Sequence, residues 1–186
     1  MLGAKVGLMI TERADAGAID IALQNGVTHA YLDPRDHVDR AAHDRAMADA
    51  IDGSGCDLVV MAGYMRLVSD EFIERFRGRI VNVHPSLLPA FPGASAIADA
   101  LAYGVKVVGV TVHFVTEKMD SGPIILQRSL AVEEGEGLES LSARIHEVEH
   151  ELYPRALQLI VEDALSVDGR IVTIGSTGQE NPSDTR

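Results

Sequence analysis

Cysteine occurs once in 186 residues, at Cys56. A lone cysteine excludes an internal disulfide and fits a reducing compartment. Basic side chains are scarce: 16 Lys and Arg stand against 28 Asp and Glu, for a formal net charge of −12. No Lys/Arg cluster is longer than two residues, which argues against a nucleic-acid footprint. The same charge means that an anionic small substrate needs local basic groups to hold it. No apolar run approaches the ~18 residues of a membrane span. The start, MLGAKVGLMITERAD, lacks the charged-then-apolar pattern and cleavage site of a signal peptide. A cytoplasmic protein is expected.

What is present is ordinary for a soluble globular chain: 46% apolar and 24% charged residues. The length suits one domain with one core, expected to span residues 1–174. The polar stretch 175–186 reads as a disordered tail.

Short apolar runs alternate with helical stretches, which predicts βαβ units and a parallel sheet. Strands are expected at Lys5–Thr11, Thr28–Leu32, Leu58–Ala62, Ile80–His84, Val107–Phe114 and Ile124–Leu130, with an edge strand at Ile171–Ile174. The run LVVMA at 58–62 is continuously apolar, as in a sheet covered on both faces. Helices are expected at Ala14–Gln24, closed by Asn25-Gly26, and at His37–Ile51, capped by Asp36. A short one follows Ser69 and another spans Ala96–Tyr103. A long amphipathic helix is expected over Leu138–Leu165, kinked at Pro154. Pro85, Pro89 and Pro92 make 85–93 a stiff, irregular loop.

The informative string is NVHPSLLPAFPG, residues 82–93. Asn82 and His84 stand two apart near a strand end, so their side chains share one face. In open α/β sheets, ligands bind beyond the carboxyl ends of the strands. A carboxamide there can donate to a developing oxyanion, and an imidazole can supply a proton or a positive charge. Either residue alone reads equally as a capping Asn or a structural His; the whole string is far more specific. Asp120 sits in the turn DSGP, where an aspartate near a histidine would favour the imidazolium. Alone, it is an ordinary turn aspartate.

Other candidates carry less. His113 in an apolar strand reads as a core histidine. His146 and His150, four apart on a helix, lack a clustered third metal ligand. Ser86 is not in a GxSxG elbow, so a hydrolase triad with His84 and Asp120 is disfavoured. Cys56 reads as buried and inert.

Together these segments resemble the phosphoribosylglycinamide formyltransferase family. NVHPSLLPAFPG resembles its active-site segment, AGYMRLVS (62–69) its folate-gripping loop, GVTVHFVTEKMDSGPIILQ (109–127) its catalytic-aspartate segment, and EHELYP (149–154) part of its C-terminal helix. The resemblance implies a three-layer formyltransferase fold with a Rossmann-like, mostly parallel central sheet. It implies Asn82, His84 and Asp120 as the catalytic set, with Arg40, Met65, Arg66, Leu67 and Val68 on the folate. Gly63, Pro85 and Glu149 would contact the second substrate, Glu149 at the ribose of glycinamide ribonucleotide. The co-substrate would be 10-formyltetrahydrofolate, with no metal, and the implied assembly is a monomer or homodimer. The Leu88-Pro89 bond is expected to be cis. Alternatives keep the trio but use water, an amino sugar or an aminoacyl-tRNA as acceptor, or leave a fold that only binds folate.

The family usually opens with a further strand and a glycine-rich phosphate loop, which this sequence lacks; an incomplete chain is the expected explanation. Folate binding is then expected to survive better than nucleotide binding. Ser95 stands where the family often has histidine, which touches an auxiliary contact and not the trio.

Overall fold

A computed structural model describes residues 3–175 of the chain. The chain divides into two compact units. One comprises Lys5–Asn82 with Phe114–Ser121; the other takes Val83–His113, residues 122–175, and the N-terminal Gly3 and Ala4.

The first unit begins with a strand-helix-strand element. Strand β1 (Leu8–Thr11) pairs in parallel with β2 (Thr28–Tyr31), and α1 (Gly17–Gln24) connects them. Helix α1 stops at Asn25, where Gly26 takes φ +64°, a left-handed turn that suits glycine. Helix α2 (Arg40–Ser54) corrects the expected start. Its cap is Asp39, whose side chain accepts from Ala42 N at 2.7 Å, while Asp36 ends a 3-10 turn over Pro34–Asp36. Both aspartates are competent caps, but Pro34 and the Asp33 side chain, accepting from Arg35 N at 2.8 Å, commit 34–36 to the turn first.

Strand β3 (Val59–Met61) pairs in parallel with β4 (Ile80–His84), Met61 lying opposite Asn82. Between them Ser69 caps α3 (Asp70–Arg75) by accepting from Phe72 N. The unit's core is Met47, Ala48, Ile51, Phe72, Ile73, Phe76 and Ile80, drawn from α2, α3 and β4. Cys56 packs half-buried beside it. The expectation that β3 is covered on both faces needs correction, because Val60 is 44% exposed.

In the second unit, α4 (Ala96–Tyr103) and β5 (Val107–Phe114) have the expected bounds. Strand β5 pairs antiparallel with β6 (Ile124–Ala131), with a register shift at Val112/His113. Helix α5 (Leu138–Val161) buries Leu141, Ile145, Leu152 and Ala156, a stripe at helical spacing, and packs on β6 and α4; Pro154 lies inside it. It ends four residues before the expected limit. Asp163 takes φ +52°, and Leu165 already belongs to β7 (Leu165–Asp168), which forms a hairpin with β8 (Ile171–Ile174). The expected tail falls outside the described residues from 176 onward. His113 is a buried core residue, as read from its apolar strand.

Candidate active site

The loop after β4 is built by a buried hydrogen-bond hub. Thr111 on β5 is fully buried. Its Oγ1 donates to Ser86 O at 2.7 Å and accepts from Leu88 N at 3.1 Å and from Gln127 Nε2 at 2.9 Å. Gln127 on β6 also donates to Leu88 O at 3.0 Å. Two neighbouring strands thus hold both edges of residues 86–88, and the Leu88-Pro89 bond is cis, as expected. Ser86 Oγ donates to Ala90 O at 2.5 Å, so its hydroxyl serves the loop, in keeping with the low weight given to a triad.

His84, the last residue of β4, is buried, and the loop returns to meet it: its Nε2 lies 2.9 Å from Phe91 O. A carbonyl only accepts, so Nε2 carries the hydrogen. Proton exchange at this ring is therefore confined to Nδ1. Phe91 itself takes φ +49°, a strained conformation for an aromatic residue, and the loop around it holds it there.

Glu149 on α5 lies within electrostatic reach of this histidine. Burial pushes its carboxyl above the ordinary value, and the neighbouring His146, His150 and His84 pull it part of the way back. His146 and His150, read from sequence as a helical pair without a third metal ligand, flank this carboxylate. Pro85 is half-buried at the start of the loop.

Asn82 and Asp120 belong to the first unit. Asn82 is half-buried on β4, two residues before His84. Asp120 takes φ +48° in its turn. That turn is closed by Ser121 Oγ donating to Lys118 O at 2.6 Å, and its segment is tied to β4 by Val115 N donating to Ile80 O at 2.9 Å. Arg77 adds an ion pair to Glu117 at 2.6 Å.

The loop 63–68 starts at Gly63, with φ +66°. Met65, Arg66 and Leu67 are exposed and Val68 is half-buried. Arg40 is exposed at the first position of α2, where the helix dipole disfavours a cation.

Residues 1–157 match the family described as Formyl transferase. The chain belongs to the formyl transferase family. Among relatives, it is 43% identical over 158 residues to the phosphoribosylglycinamide formyltransferase of Mycobacterium tuberculosis, covering 85% of this chain and 74% of that one. It is 37% identical over 158 residues to the enzyme of the same name from Bacillus subtilis, covering 85% and 81%. The crystal structure of glycinamide ribonucleotide transformylase 1 from Symbiobacterium toebii superposes with a TM-score of 0.90 at 47% identity, over 92% of this chain and 81% of that chain. The α/β formyltransferase fold with its mostly parallel central sheet is therefore that of this formyl transferase. No helix among the described residues is long and apolar enough to cross a membrane.

The motif did not reveal the Thr111–Gln127 hub or the group formed by the buried His43 and Asp44 with the half-buried Glu12 and Tyr64. The signal for the hub was polar residues at adjacent strand positions inside apolar runs, Thr111 in GVTVHF and Gln127 in IILQ. Thr111 and Gln127 are direct partners in the β5–β6 register.

Proposed function

We propose that this formyl transferase moves the formyl group of 10-formyltetrahydrofolate to the amine of glycinamide ribonucleotide, a one-carbon step of purine biosynthesis. The observation that carries the reading is the end of β4: Asn82 and His84 share a face there, and Phe91 O fixes the ring of His84 through Nε2.

The reaction needs one N–C bond formed and one broken. The amine attacks the formyl carbon, and the carbonyl electrons move to oxygen. Asn82 donates a hydrogen bond to that oxygen and His84 helps to stabilise it. Collapse re-forms the carbonyl and breaks the bond to the folate nitrogen N10. The proton lost by the attacking amine reaches N10, and Nδ1 of His84 is the ring position able to exchange it. Asp120 is assigned as the third member of the catalytic set. No covalent bond to the protein is required.

Arg40 is the cation assigned to the folate, and Met65, Arg66, Leu67 and Val68 are assigned to line its pocket, largely through their backbone. An arginine at a helix N-terminus is disfavoured by the dipole and gains from an anionic ligand. Gly63, Pro85 and Glu149 are assigned to glycinamide ribonucleotide, with Glu149 toward its ribose. Residues 1–174 act as one catalytic domain, as a monomer or homodimer in the cytoplasm, where these water-soluble substrates occur.

The test is acceptor dependence. The purified chain is mixed with 10-formyltetrahydrofolate, and tetrahydrofolate release is followed with and without glycinamide ribonucleotide, the formylated product being weighed by mass spectrometry. Turnover that requires the nucleotide is expected. Formate release without it would assign water as acceptor, and folate binding without turnover would leave a binding fold.

A further inference from the structure

Beneath the loop 64–69 lies a group of ionisable side chains that the proposed chemistry does not use. Asp44 is 1% exposed; its Oδ2 accepts from Ser69 N at 2.6 Å, while Oδ1 has no hydrogen-bond partner among the described residues. His43 is fully buried and its Nε2 donates to Leu32 O at 3.1 Å. The same ring stands 3.8 Å from Asp44 Oδ1 through Nδ1 and 3.8 Å from Glu12 Oε1 through Nε2. Glu12 Oε1 in turn lies 3.5 Å from Arg66 Nε. The Tyr64 hydroxyl is buried, and burial, reinforced by the charges of Glu12 and Asp44, pushes it well up, so it keeps its proton.

These contacts reach the loop at three points: the buried Tyr64 hydroxyl, the partly exposed Arg66 guanidinium beside Glu12, and Ser69 N on Asp44. Met65 and Leu67, between them, are 69% and 55% exposed. The outward side chains bury little surface of their own, so the loop's order has to come from the inward contacts.

We infer that Glu12 is a positioning residue for the formyl-folate loop: its ion pair tethers Arg66, so that Met65, Leu67 and the loop backbone are presented to the co-substrate already ordered. This rests on the folate assignment proposed above. The pair is only partly buried, so it adds little to global stability. Its effect falls on binding, because a loop that must be ordered by its ligand binds that ligand more weakly.

The experiment uses the full chain and 10-formyltetrahydrofolate alone in calorimetry, then both substrates in steady-state kinetics. In Glu12→Gln, Kd and KM for formyl-folate are expected to rise by about three- to tenfold, a range set by ordering one or two side chains. The kcat, the KM for glycinamide ribonucleotide and the melting midpoint are expected to stay at the unaltered chain's values. Where Arg66 is already Ala, Glu12→Gln is expected to add less than about twofold, since a pair acting through one contact is non-additive. Unchanged or tighter folate binding in Glu12→Gln, full additivity with Arg66→Ala, or a fall in midpoint that tracks the binding loss would each overturn the inference. If the unaltered chain does not bind formyl-folate, the folate reading fails and this inference with it. If that chain binds and Glu12→Gln binds equally well, only the inference fails.

Discussion

Replacing Thr111 with valine tests whether the hub on β5 holds the active-site loop. Valine keeps the shape and removes the hydroxyl. Leu88 N then loses its acceptor and Ser86 O its donor, while Gln127 keeps Leu88 O at 3.0 Å. The site is fully buried, so water does not replace these bonds cheaply. Each buried polar group left without a partner costs about 1–3 kcal/mol, so two of them place the loss at roughly 2–6 kcal/mol. In a chain of this size, at about 2–4 °C per kcal/mol, that corresponds to a midpoint lower by about 4–24 °C. Thr111→Ser is the control. It keeps the oxygen and loses one methyl, so it should cost only about 1 kcal/mol. The assay is urea and thermal unfolding of the three proteins, with kcat measured alongside. Activity should fall with Thr111→Val, because the loop that carries Phe91 O also fixes the His84 ring. A loss below about 0.5 kcal/mol, or valine and serine variants of equal stability, would refute the hub, since either result would mean that the buried hydroxyl was not satisfying its neighbours.

Asn82→Ala is expected to lower kcat by about 10²–10³ with the fold intact, the usual effect of losing one oxyanion donor; circular dichroism and steady-state kinetics check it. Gly109→Ala should destabilise by about 3 kcal/mol or more, as in severe overpacking, because an added Cβ would sit 2.3 Å from Arg128 O and 2.5 Å from Leu87 Cδ2; unfolding of the purified variant checks this. Glu149 has a raised carboxyl in the folded chain, so the native state holds its proton more tightly than the unfolded one. Its contribution is therefore complete below the ordinary carboxylate range and is lost as pH rises through the folded value. Glu149→Gln should accordingly gain stability relative to the parent with rising pH while losing affinity for glycinamide ribonucleotide, read by pH-dependent melts and by KM.

The elements with clear punctuation were legible in the sequence. Strand β4, helix α4 and strand β5 have the expected bounds because Pro85, Gly104 and Gly78 mark their surroundings and their apolar periods are unmixed. Two competing aspartates obscured the start of α2, since local chemistry allowed either to cap and only the 3-10 turn decided. The end of α5 was missed because Leu165 continues the helical spacing. Asp168-Gly169 was nevertheless a hairpin signal, and the register Asp168 opposite Ile171 leaves Gly169 and Arg170 as a two-residue turn. In the candidate site, the stiff loop after β4 could be read because its three prolines lie close together in a distinctive string. The hub joining 86–88 to 111 and 127, and the contacts from residues 12 and 44 to residues 66 and 69, are long-range pairings. Such contacts leave no local pattern until the strands and helices are placed.

Asp120 occupies backbone space in which few residues are comfortable. At φ +48° a side chain crowds its own carbonyl; glycine escapes this, and asparagine and aspartate tolerate it best among the rest. Glutamate keeps the charge, yet brings backbone strain and a longer reach, whereas asparagine fits the turn and loses the charge. For this position, electrostatic and conformational conservatism point to different amino acids. Aspartate alone satisfies both demands, so the turn geometry, apart from any chemistry, already narrows the sequences able to carry a carboxylate at this point of the fold.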